Sequence, residues 1–375
     1  MDVTLLQRVV PHYRVPIFER LHAELGWTVA TGRGDAGFGL LGMAVDPPWL
    51  YRFDFRRSPR NEYSALVPLG DVRRLLRPDA VVAEFSLQMS STWSLAARRG
   101  LGLRPKLAFW SQGWNHERGF ARASDRVSQH LRLAIMRRAD AHLTYTDDGA
   151  NYLRRSLGVP VFVARNTLDS STMPGTNIDR SPSDPSHARL LAIGRLTDDK
   201  RIDHIVNALA ILRRNMPGVT LTIVGDGPAR AQIERAAAPL GNAVTMTGAI
   251  YDPARTAAIL QEATCVVIGG SAGLSVNHAL AYGVPVVLAD DPAIHHHPEH
   301  AYVVEGVTGW RAPSGSAAAM ASTLQRALSG TYSPKIALRE KLRNYVAVEL
   351  SVTRMLSGFH DLHRYLETGI GNADC

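Results

Sequence analysis

Short apolar runs alternate with amphipathic stretches through the first half of the chain. The runs predict strands at residues 2–6, 27–31, 79–83, 106–110, 141–145 and 160–164. Between them, apolar residues recur at helical spacing, which predicts helices such as 15–25 and 124–138. Strands that alternate with amphipathic helices are typical of a parallel sheet covered by helices.

The second half repeats this alternation. Its apolar runs predict strands at 189–193, 219–224, 243–246, 264–268 and 284–288. Helical spacing predicts helices at 202–214, 228–239, 253–262 and 274–282, and from about residue 336 it continues to about 367 without another strand. The predicted fold class is therefore α/β, with two Rossmann-like, doubly wound domains.

A stretch without apolar periodicity separates the two series. Residues 170–188 are rich in Ser, Pro and Asp, which is typical of a linker. The predicted organisation is an N-terminal domain at 1–169, this linker, a C-terminal domain at 189–345, and a helical segment at 346–375 that packs back on the N-terminal domain. Open α/β sheets bind ligands at the carboxyl ends of their strands, so two facing domains would enclose a cleft between a donor and an acceptor.

The formal positive charge of the chain lies in its N-terminal half. Residues 1–170 contain 24 Lys and Arg against 16 Asp and Glu, whereas the remainder is balanced. A basic domain fits an anionic membrane surface or a phosphorylated substrate, and equally a set of scattered arginines that serve solubility. Nucleic acid is disfavoured because the basic residues are not interleaved with aromatic residues in a recognisable module.

Cysteine usage and apolar run length bear on the location of the protein. The two cysteines, Cys265 and Cys375, exclude a disulfide framework and fit a reducing cytoplasm. The N-terminus has no positively charged signal region, and no apolar run approaches the roughly 20 residues that span a bilayer. A cytoplasmic protein is predicted, at most peripheral at the inner face of a membrane.

Two loops of the C-terminal domain carry groups suited to a phosphate. The turn "IGRLTDDKR" (193–201) follows a strand and holds Arg195 and Lys200 close enough to converge on one anion. In "GGSAGLS" (269–275), glycines leave room for an approaching group, and the following helix presents unpaired N–H groups. The glycines would also suit tight packing alone, but the two nearby cations favour phosphate binding.

The order of the motifs in this domain resembles that of a known family. "GRLTDDKR", "LTIVGDGPARAQIERAA", "VTMTGAI" and "GLSVNHALAYGVPVVLADD" follow one another as in the GT-B glycosyltransferases of family 4. The resemblance covers residues 189–312 well and the first half more loosely. It implies the GT-B architecture, retention of configuration, a nucleotide-sugar donor, and no metal or other cofactor.

The resemblance also implies roles for individual residues. Arg195 and Lys200 would hold the donor diphosphate. The backbone of the phosphate loop would assist them at Gly273, Leu274 and Ser275. The nucleotide base would lie against two further loops, at residues Gly225, Asp226, Gly227, Thr247, Gly248 and Ile250.

Two acidic positions of the family are altered in this chain. Most members carry glutamates eight positions apart on either side of the phosphate loop, where this chain has Gly270 and His278. A neutral imidazole at 278 can accept a hydrogen bond from a ribose hydroxyl, and packing within a helix is the alternative role. The form "GLSVNHALAYG" resembles a subgroup found among O-antigen and capsule glycosyltransferases.

The segment "HHHPEH" (295–300) contains an acid and three consecutive histidines. Glu299 lines up with a Pro-Glu pair of the family and would contact hydroxyls of the donor sugar; alternatively it is a surface loop acid. The histidines suggest a metal, but consecutive side chains converge poorly and the family needs none, so no metal site is predicted.

The N-terminal domain offers residues for the acceptor side. "VVPHYRVPIF" (9–18) replaces the Gly-rich first loop of the family, and Arg14 in it would meet a pyrophosphate. The alternative is a Pro-started helix whose first polar residues lie in water. "FWSQGWNHERG" (109–119) follows a strand where the family often has a histidine. The predicted acceptor-side residues are His12, Tyr13, Arg14, Gln112 and His116.

These features predict a retaining glycosyltransferase with Arg195, Lys200 and His278 as catalytic residues. The leaving diphosphate would help to deprotonate the acceptor while the two cations stabilise the developing charge. The basic domain and the subgroup resemblance suggest a glycan acceptor linked to polyprenyl diphosphate, in cell-surface polysaccharide assembly. Two alternatives stay open: a GT-B-fold sugar-nucleotide epimerase, which would need carboxylates in the cleft, and a non-catalytic nucleotide-sugar-binding or scaffold protein.

Overall fold

The structure, a computed structural model, divides into two compact units. Residues Met1–Thr167 and Val352–Cys375 form the first unit, and Leu168–Ser351 form the second. The residues that the structure describes are 1–32, 47–53, 56–58, 61–66, 73–113, 123–175, 187–291, 294–295, 297–313, 316–329 and 336–370.

The first unit is built on a parallel seven-stranded sheet in the order β3-β2-β1-β6-β7-β8-β9. A separate antiparallel pair joins β4 to β5. The strands are β1 (Val3–Gln7), β2 (Thr28–Gly32), β3 (Leu50–Phe53), β4 (Arg56–Ser58), β5 (Asn61–Leu66), β6 (Ala80–Glu84), β7 (Lys106–Ser111), β8 (Ala141–Thr144) and β9 (Val161–Val163).

Helices follow the strands of this sheet. They are α1 (Val15–Leu25), α2 (Ser90–Gly100), α3 (Ala123–Met136) and α4 (Asp147–Leu157). In α1, a proline lies in the first turn, and Ile17, Phe18 and Leu21 form the buried face. The Thr146 side chain caps α4 by accepting a hydrogen bond from the Gly149 amide.

The second unit has a parallel six-stranded sheet in the order β12-β11-β10-β13-β14-β15. The chain steps outward from β10 through β11 to β12 and then returns to β13 on the other side of β10. The sheet therefore has a topological switch point between β10 and β13. Its strands are β10 (Arg189–Ile193), β11 (Thr220–Val224), β12 (Val244–Gly248), β13 (Cys265–Ile268), β14 (Val286–Asp290) and β15 (Gly309–Pro313).

Helices cover both faces of the second sheet, and the sheet divides the core of this unit into two clusters. The Asp252 side chain caps one of them by accepting from the Ala254 amide, with Pro253 in the first turn. The helices are α5 (Ile202–Leu212), α6 (Arg230–Ala237), α7 (Pro253–Glu262), α8 (Ser275–Ala281), α9 (Ala317–Ser329) and α10 (Ile336–Glu349).

The last helix, α11 (Val352–Thr368), belongs to the first unit. It packs on α1 and on the strands β8 and β9. The indole N–H of Trp27 donates to Nδ1 of His363 at 2.9 Å. Its buried side chains are part of the core under the first sheet; they are Met355, Leu356, Phe359, Leu362 and Leu366.

The predicted α/β class with two Rossmann-like parallel sheets is confirmed. The bounds of β10, α1 and α7 coincide with the predicted ones, and the other predicted strands and helices shift by a few residues at their ends. The continuous helix predicted at 336–367 is interrupted at Leu350 and Ser351, between α10 and α11. The strand pattern missed β3, β15 and the β4–β5 pair.

Candidate functional site

A cavity of about 190 Å³ opens at the switch point of the second sheet. The carboxyl ends of β10 and β13 form its floor, and the loops that follow these strands form its walls. This is the position at which open α/β sheets bind ligands. The residues that line it and were predicted to bind the donor are Arg195, Lys200, Gly273, Leu274 and Ser275.

The two predicted cations of this cavity differ in their surroundings. Lys200 is half-buried at the end of a short 3-10 turn, and its Nζ donates to the carbonyl of Ser271 at 2.8 Å. Arg195 is exposed, and its guanidinium has no hydrogen bond or ion pair within the described part of the chain. Lys200 therefore joins the two loops, whereas the guanidinium of Arg195 is exposed, and within the described residues its donors stay available to a ligand.

The first two glycines of the phosphate loop serve the packing of the protein itself. A Cβ at Gly270 would overlap the carbonyl oxygen of Asp199, and one at Gly269 would lie 2.5 Å from that of Arg201. The amide of Ser271 donates to the same Asp199 carbonyl at 2.8 Å. In this arrangement a side chain at 270 would collide with the 199–201 turn, so the acid that the resemblance predicts there does not fit.

Gly273 has different surroundings from these two glycines. The nearest atom to a Cβ at this position would be Cδ2 of His297, at 4.0 Å. The protein therefore leaves this part of the cavity open. The glycines of the phosphate loop thus have two different roles, which the sequence did not distinguish. Those at 269 and 270 allow close packing of two loops, and the one at 273 leaves free space.

Electrostatics around Lys200 involve two carboxylates. Burial lowers the pKa of Lys200 below its usual value, and the charges of Asp199 and Glu299 oppose that shift. The Asp199 carboxylate lies 3.8 Å from Nζ. Glu299 is buried in the 3-10 turn Pro298–Tyr302, so the alternative that it is a surface loop acid is wrong.

His295 fixes the phosphate loop to the sheet. Its Nδ1 accepts from the amide of Ala272 at 3.2 Å, and its Nε2 lies 2.7 Å from the carbonyl of Ala289 at the end of β14. These partners require a neutral ring with its proton on Nε2. Burial lowers the pKa of His295 to about 4, in agreement with that state. No pattern in the sequence indicates this role.

His278 lies on α8, one turn beyond the start of the helix. Its side chain is half-buried, and burial lowers its pKa below the usual value, so that the neutral form prevails at pH 7. It is not among the residues that line the switch-point cavity. The structure brings Arg195, Lys200 and the phosphate loop together around the cavity, whereas His278 does not line it.

The two predicted base-binding loops are in contact with each other. The amide of Gly225 donates to the carbonyl of Gly248 at 2.9 Å, and the Leu196 amide donates to the carbonyl of Asp226 at 2.9 Å. A Cβ at Gly225 would overlap the carbonyl of Gly194. A Cβ at Gly227 would likewise overlap the carbonyl of Leu196. Thr247 is exposed and Ile250 is half-buried at the same edge of the sheet.

The first unit has its own cavity, of about 170 Å³, at the switch point between β1 and β6. Arg8 and Glu84 form an ion pair of 2.6 Å at its side. Tyr13 and Arg14 line it as well, whereas His12 is exposed. Predicted acceptor-side residues therefore lie at the carboxyl edge of the first sheet.

Arg14 is held by neutral groups. Its guanidinium donates to Oε1 of Gln7 at 2.8 Å and to the hydroxyl of Tyr145 at 3.2 Å, and it lies 4.7 Å from the Trp110 ring centroid. Burial acts to lower the pKa of Arg14, but interactions with Tyr145 and other neighbours raise it overall, so the group stays charged. The alternative that this residue simply lies in water is wrong.

Gln112 follows β7 at the same edge and is half-buried. His116 and the rest of 114–120 lie outside the described residues. Most of the predicted linker, 176–186, is outside them as well. Among the described residues, no three His, Cys, Asp or Glu side chains are grouped so that they could hold a metal ion. None of the described helices has the length and apolar composition needed to cross a membrane.

The geometry of the second unit agrees with a family relationship. Residues 187–330 match the family described as Glycosyl transferases group 1. These residues lie within the second unit and are called the group 1 domain below because of this match. Its switch-point cavity, Arg195, Lys200 and the phosphate loop all lie inside the matched range.

Two curated relatives are similar to part of the chain. A "GDP-mannose-dependent alpha-(1-6)-phosphatidylinositol dimannoside mannosyltransferase" of Mycobacterium tuberculosis is 34% identical over 113 residues, 29% of each chain. The "Amylovoran biosynthesis glycosyltransferase AmsK" of Erwinia amylovora is 31% identical over 154 residues, 38% of this chain and 36% of the relative. Each match thus spans only about a third of the relative's length.

Solved structures resemble the chain over almost its whole length. HepE of Anabaena in complex with UDP aligns with a TM-score of 0.67 at 15% identity and covers 97% of this chain and 99% of the other. Sucrose-phosphate synthase of Thermosynechococcus elongatus aligns with a TM-score of 0.67 at 18% identity and covers 99% and 100%. Outside the group 1 domain as well as within it, the chain therefore has the GT-B fold.

Proposed function

We propose that the protein is a glycosyltransferase that moves a sugar from a nucleotide-sugar donor to a glycan acceptor. The observation that carries this proposal is the switch-point cavity of the group 1 domain. There the exposed guanidinium of Arg195, the Lys200 ammonium and the open space at Gly273 adjoin one another. Two cations and an uncrowded backbone suit a diphosphate.

The donor is proposed to bind with its diphosphate on Arg195 and Lys200. The loops at 225–227 and 247–250 would hold the base, and His278 would accept from the ribose. A GDP-mannose-dependent relative and neighbours solved with UDP and UDP-glucose support a nucleoside-diphosphate sugar as the class of donor.

Transfer is proposed to proceed with retention and without a metal or other cofactor. The bond from the anomeric carbon to the diphosphate oxygen breaks, and a bond to the acceptor oxygen forms on the same face. The leaving diphosphate takes up the acceptor proton. Arg195 and Lys200 stabilise the negative charge that develops on it, which is the role that fixed cations play most effectively in a cavity of low dielectric.

The acceptor is proposed to be a glycan linked to a polyprenyl diphosphate, in cell-surface polysaccharide biosynthesis at the inner membrane face. Tyr13, Arg14 and Gln112 of the first unit would contact it. Arg14 supports an anionic group there, because its hydrogen-bond partners Gln7 and Tyr145 are neutral and the nearby Glu84 is already paired with Arg8. The amylovoran relative supports a polysaccharide product.

The test combines Arg195→Ala and Lys200→Ala with a panel of UDP-, GDP- and dTDP-sugars. The wild type is expected to be stabilised by one class of donor and to release its nucleotide when an acceptor is present. Each substitution should lower turnover by about 10²–10³-fold, as for the loss of one group that stabilises charge in a transition state. The matched control is Arg214→Ala, an exposed arginine that follows α5.

Because Arg195 has no partner in the described residues, Arg195→Ala should leave the melting temperature of the free protein unchanged. Unchanged turnover in Lys200→Ala would contradict the site assignment. Stabilisation by a donor without turnover on any acceptor would favour the non-catalytic alternative. Interconversion of two nucleotide sugars would favour the epimerase.

A further inference from the structure

Helices α2 and α3 expose large apolar side chains to solvent. Trp93 lies on α2, Leu101 and Leu103 lie in the turn that follows it, and Val127 and Leu131 lie on α3. Their exposed fractions range from 42% to 77%. Residues 93 and 101 are eight positions apart, and residues 127 and 131 are four apart. At helical spacing the first pair lies on one face of α2 and the turn that follows it, and the second pair lies on one face of α3.

The two exposed faces form one surface. Leu95 of α2 and Met136 of α3 are buried in the same core cluster, so both helices cover the same face of the first sheet. At their ends they lie close together, because a Cβ at Gly100 would be 2.5 Å from Nη1 of Arg138. We call the exposed part of α2, α3 and the turn 101–104 the α2–α3 surface.

This surface is positively charged. Residues 85–113 and 126–139 contain no Asp or Glu; Asp125 lies in the first turn of α3, and Asp140 beyond its end pairs with Arg99 at 2.6 Å. Arg104, Arg126, Arg137 and Arg138 are exposed. Within the described residues the guanidinium of Arg104 pairs with Asp79 at 3.3 Å, at the rim of the surface. Exposed aliphatic groups and unbalanced arginines thus occur together.

Trp93 has the character of an interfacial residue. Its indole N–H donates to the carbonyl of Leu87 at 2.9 Å, so its polar atom is satisfied within the protein while 42% of the residue stays exposed. Such a ring can enter an apolar phase at no hydrogen-bonding cost.

We propose that the α2–α3 surface docks on an anionic phospholipid membrane. Apolar side chains that enter the boundary between headgroups and acyl chains, flanked by arginines that meet the phosphates, constitute the chemistry of an interfacial helix face. A second copy of this chain is a poorer partner because two surfaces of the same charge repel. Nucleic acid is a poorer partner because Leu and Val offer no platform for base stacking.

This inference deepens the proposed location at a membrane face by naming the surface that makes the contact, and its test is separate because vesicle binding does not require that the protein transfers a sugar. The experiment is sedimentation of the full chain with phosphatidylcholine vesicles, with and without phosphatidylglycerol. The wild type is expected to sediment only with the anionic vesicles, and less so as the salt concentration rises. Equal sedimentation with both kinds of vesicle, or with neither, overturns the proposal.

Substitutions locate the contact. Leu101→Glu and Leu131→Glu should each abolish sedimentation, and Arg104→Gln and Arg126→Gln should each weaken binding about fivefold. The matched control is Val348→Glu, which places the same charge on an exposed apolar residue of α10 in the second unit. It is expected to bind like the wild type. Loss of binding in the control as well as in Leu131→Glu would overturn the assignment to this surface.

A spectroscopic readout shows whether Trp93 enters the bilayer. Anionic vesicles should shift the tryptophan emission of the wild type to shorter wavelength, and Trp93→Phe should remove most of that shift while sedimentation persists. If the wild type is a dimer and Leu131→Glu dissociates it, the surface is an interface between copies and the proposal is overturned. If the wild type binds DNA but no vesicles, and Leu131→Glu abolishes DNA binding, the partner is nucleic acid and the proposal is likewise overturned. Donor stabilisation measured in the same variants keeps the two proposals separate.

Discussion

At the scale of single residues, Gly270 and Gly273 belong to one loop but have opposite surroundings. The backbone of the 199–201 turn occupies the space that a side chain at 270 would need, whereas position 273 faces open space. A methyl group at 270 must displace that turn, and Lys200 moves with it. Overpacking of this kind destabilises proteins by about 1–3 kcal/mol.

Gly270→Ala is therefore expected to lower the free energy of unfolding by about 1–3 kcal/mol, because its Cβ overlaps the Asp199 carbonyl. Gly273→Ala serves as the matched control. It should keep the stability of the wild type but weaken binding of a nucleoside-diphosphate sugar. Denaturant unfolding gives the first quantity and a titration with the donor gives the second. Equal stability of the two variants would show that the 199–201 turn does not fix position 270.

The sequence predicted the chemical groups of the candidate site better than their contacts. Arg195 and Lys200 stand at a strand end, and the sheet topology alone brings them to the phosphate loop. The bond from Lys200 to the Ser271 carbonyl and the role of His295 depend on three-dimensional contacts across the loops. Such contacts leave no local pattern in the chain, and the first of three consecutive histidines gave no sign that its ring would be buried.

At the scale of elements, apolar periodicity identified the central strands and most helices. Strands buried on both faces read as continuous apolar runs, as β6 and β13 do. The missed strands lie at edges or outside the main sheets. β3 and β15 are edge strands, and β15 contains a glycine, an arginine and a proline within its five residues. An edge strand pairs with a neighbouring strand on one side only, so its sequence need not be a continuous apolar run.

Strand β8 gives the first unit a sensitivity to acid. His142 in this strand is fully buried beside Phe109, and burial lowers its pKa to about 3. The unfolded chain would titrate this residue near its usual pKa of about 6.5. Because the folded pKa is the lower one, its stabilising contribution is complete above that pH and is lost as the pH falls toward 3.

Between pH 7 and pH 5, wild-type stability should therefore fall by about 2 kcal/mol more than that of His142→Phe. Denaturant unfolding at a series of pH values measures the difference. His130→Gln, on the exposed side of α3, is the control and should follow the wild type. The same pH dependence in His142→Phe and wild type would mean that another group causes the loss.

At the scale of the whole molecule, the first unit is assembled from two separate parts of the chain. α11 contributes Met355, Phe359 and Leu362 to the core under the first sheet. Removing one such buried side chain typically destabilises a protein by about 2–5 kcal/mol. Several together exceed the whole stability of an ordinary domain, about 5–15 kcal/mol.

A chain that ends at Ser351 should consequently lose the folded first unit and keep the second. Scanning calorimetry of the full chain is expected to resolve contributions from both units, and the shortened chain should show one transition that a nucleoside-diphosphate sugar still raises. The control ends at Gly369 and retains all of α11. Two transitions in the chain that ends at Ser351 would show that α11 is dispensable.

The placement of α11 also sets an order during synthesis on the ribosome. Residues 1–167 of the first unit emerge before the second unit. The core of the first unit nevertheless stays open until residues 352–368 have left the exit tunnel. The second unit is continuous in the chain and is complete earlier. The unit whose synthesis begins first is therefore the one whose folding finishes last, and its unfinished apolar surface must be kept from aggregation in the meantime.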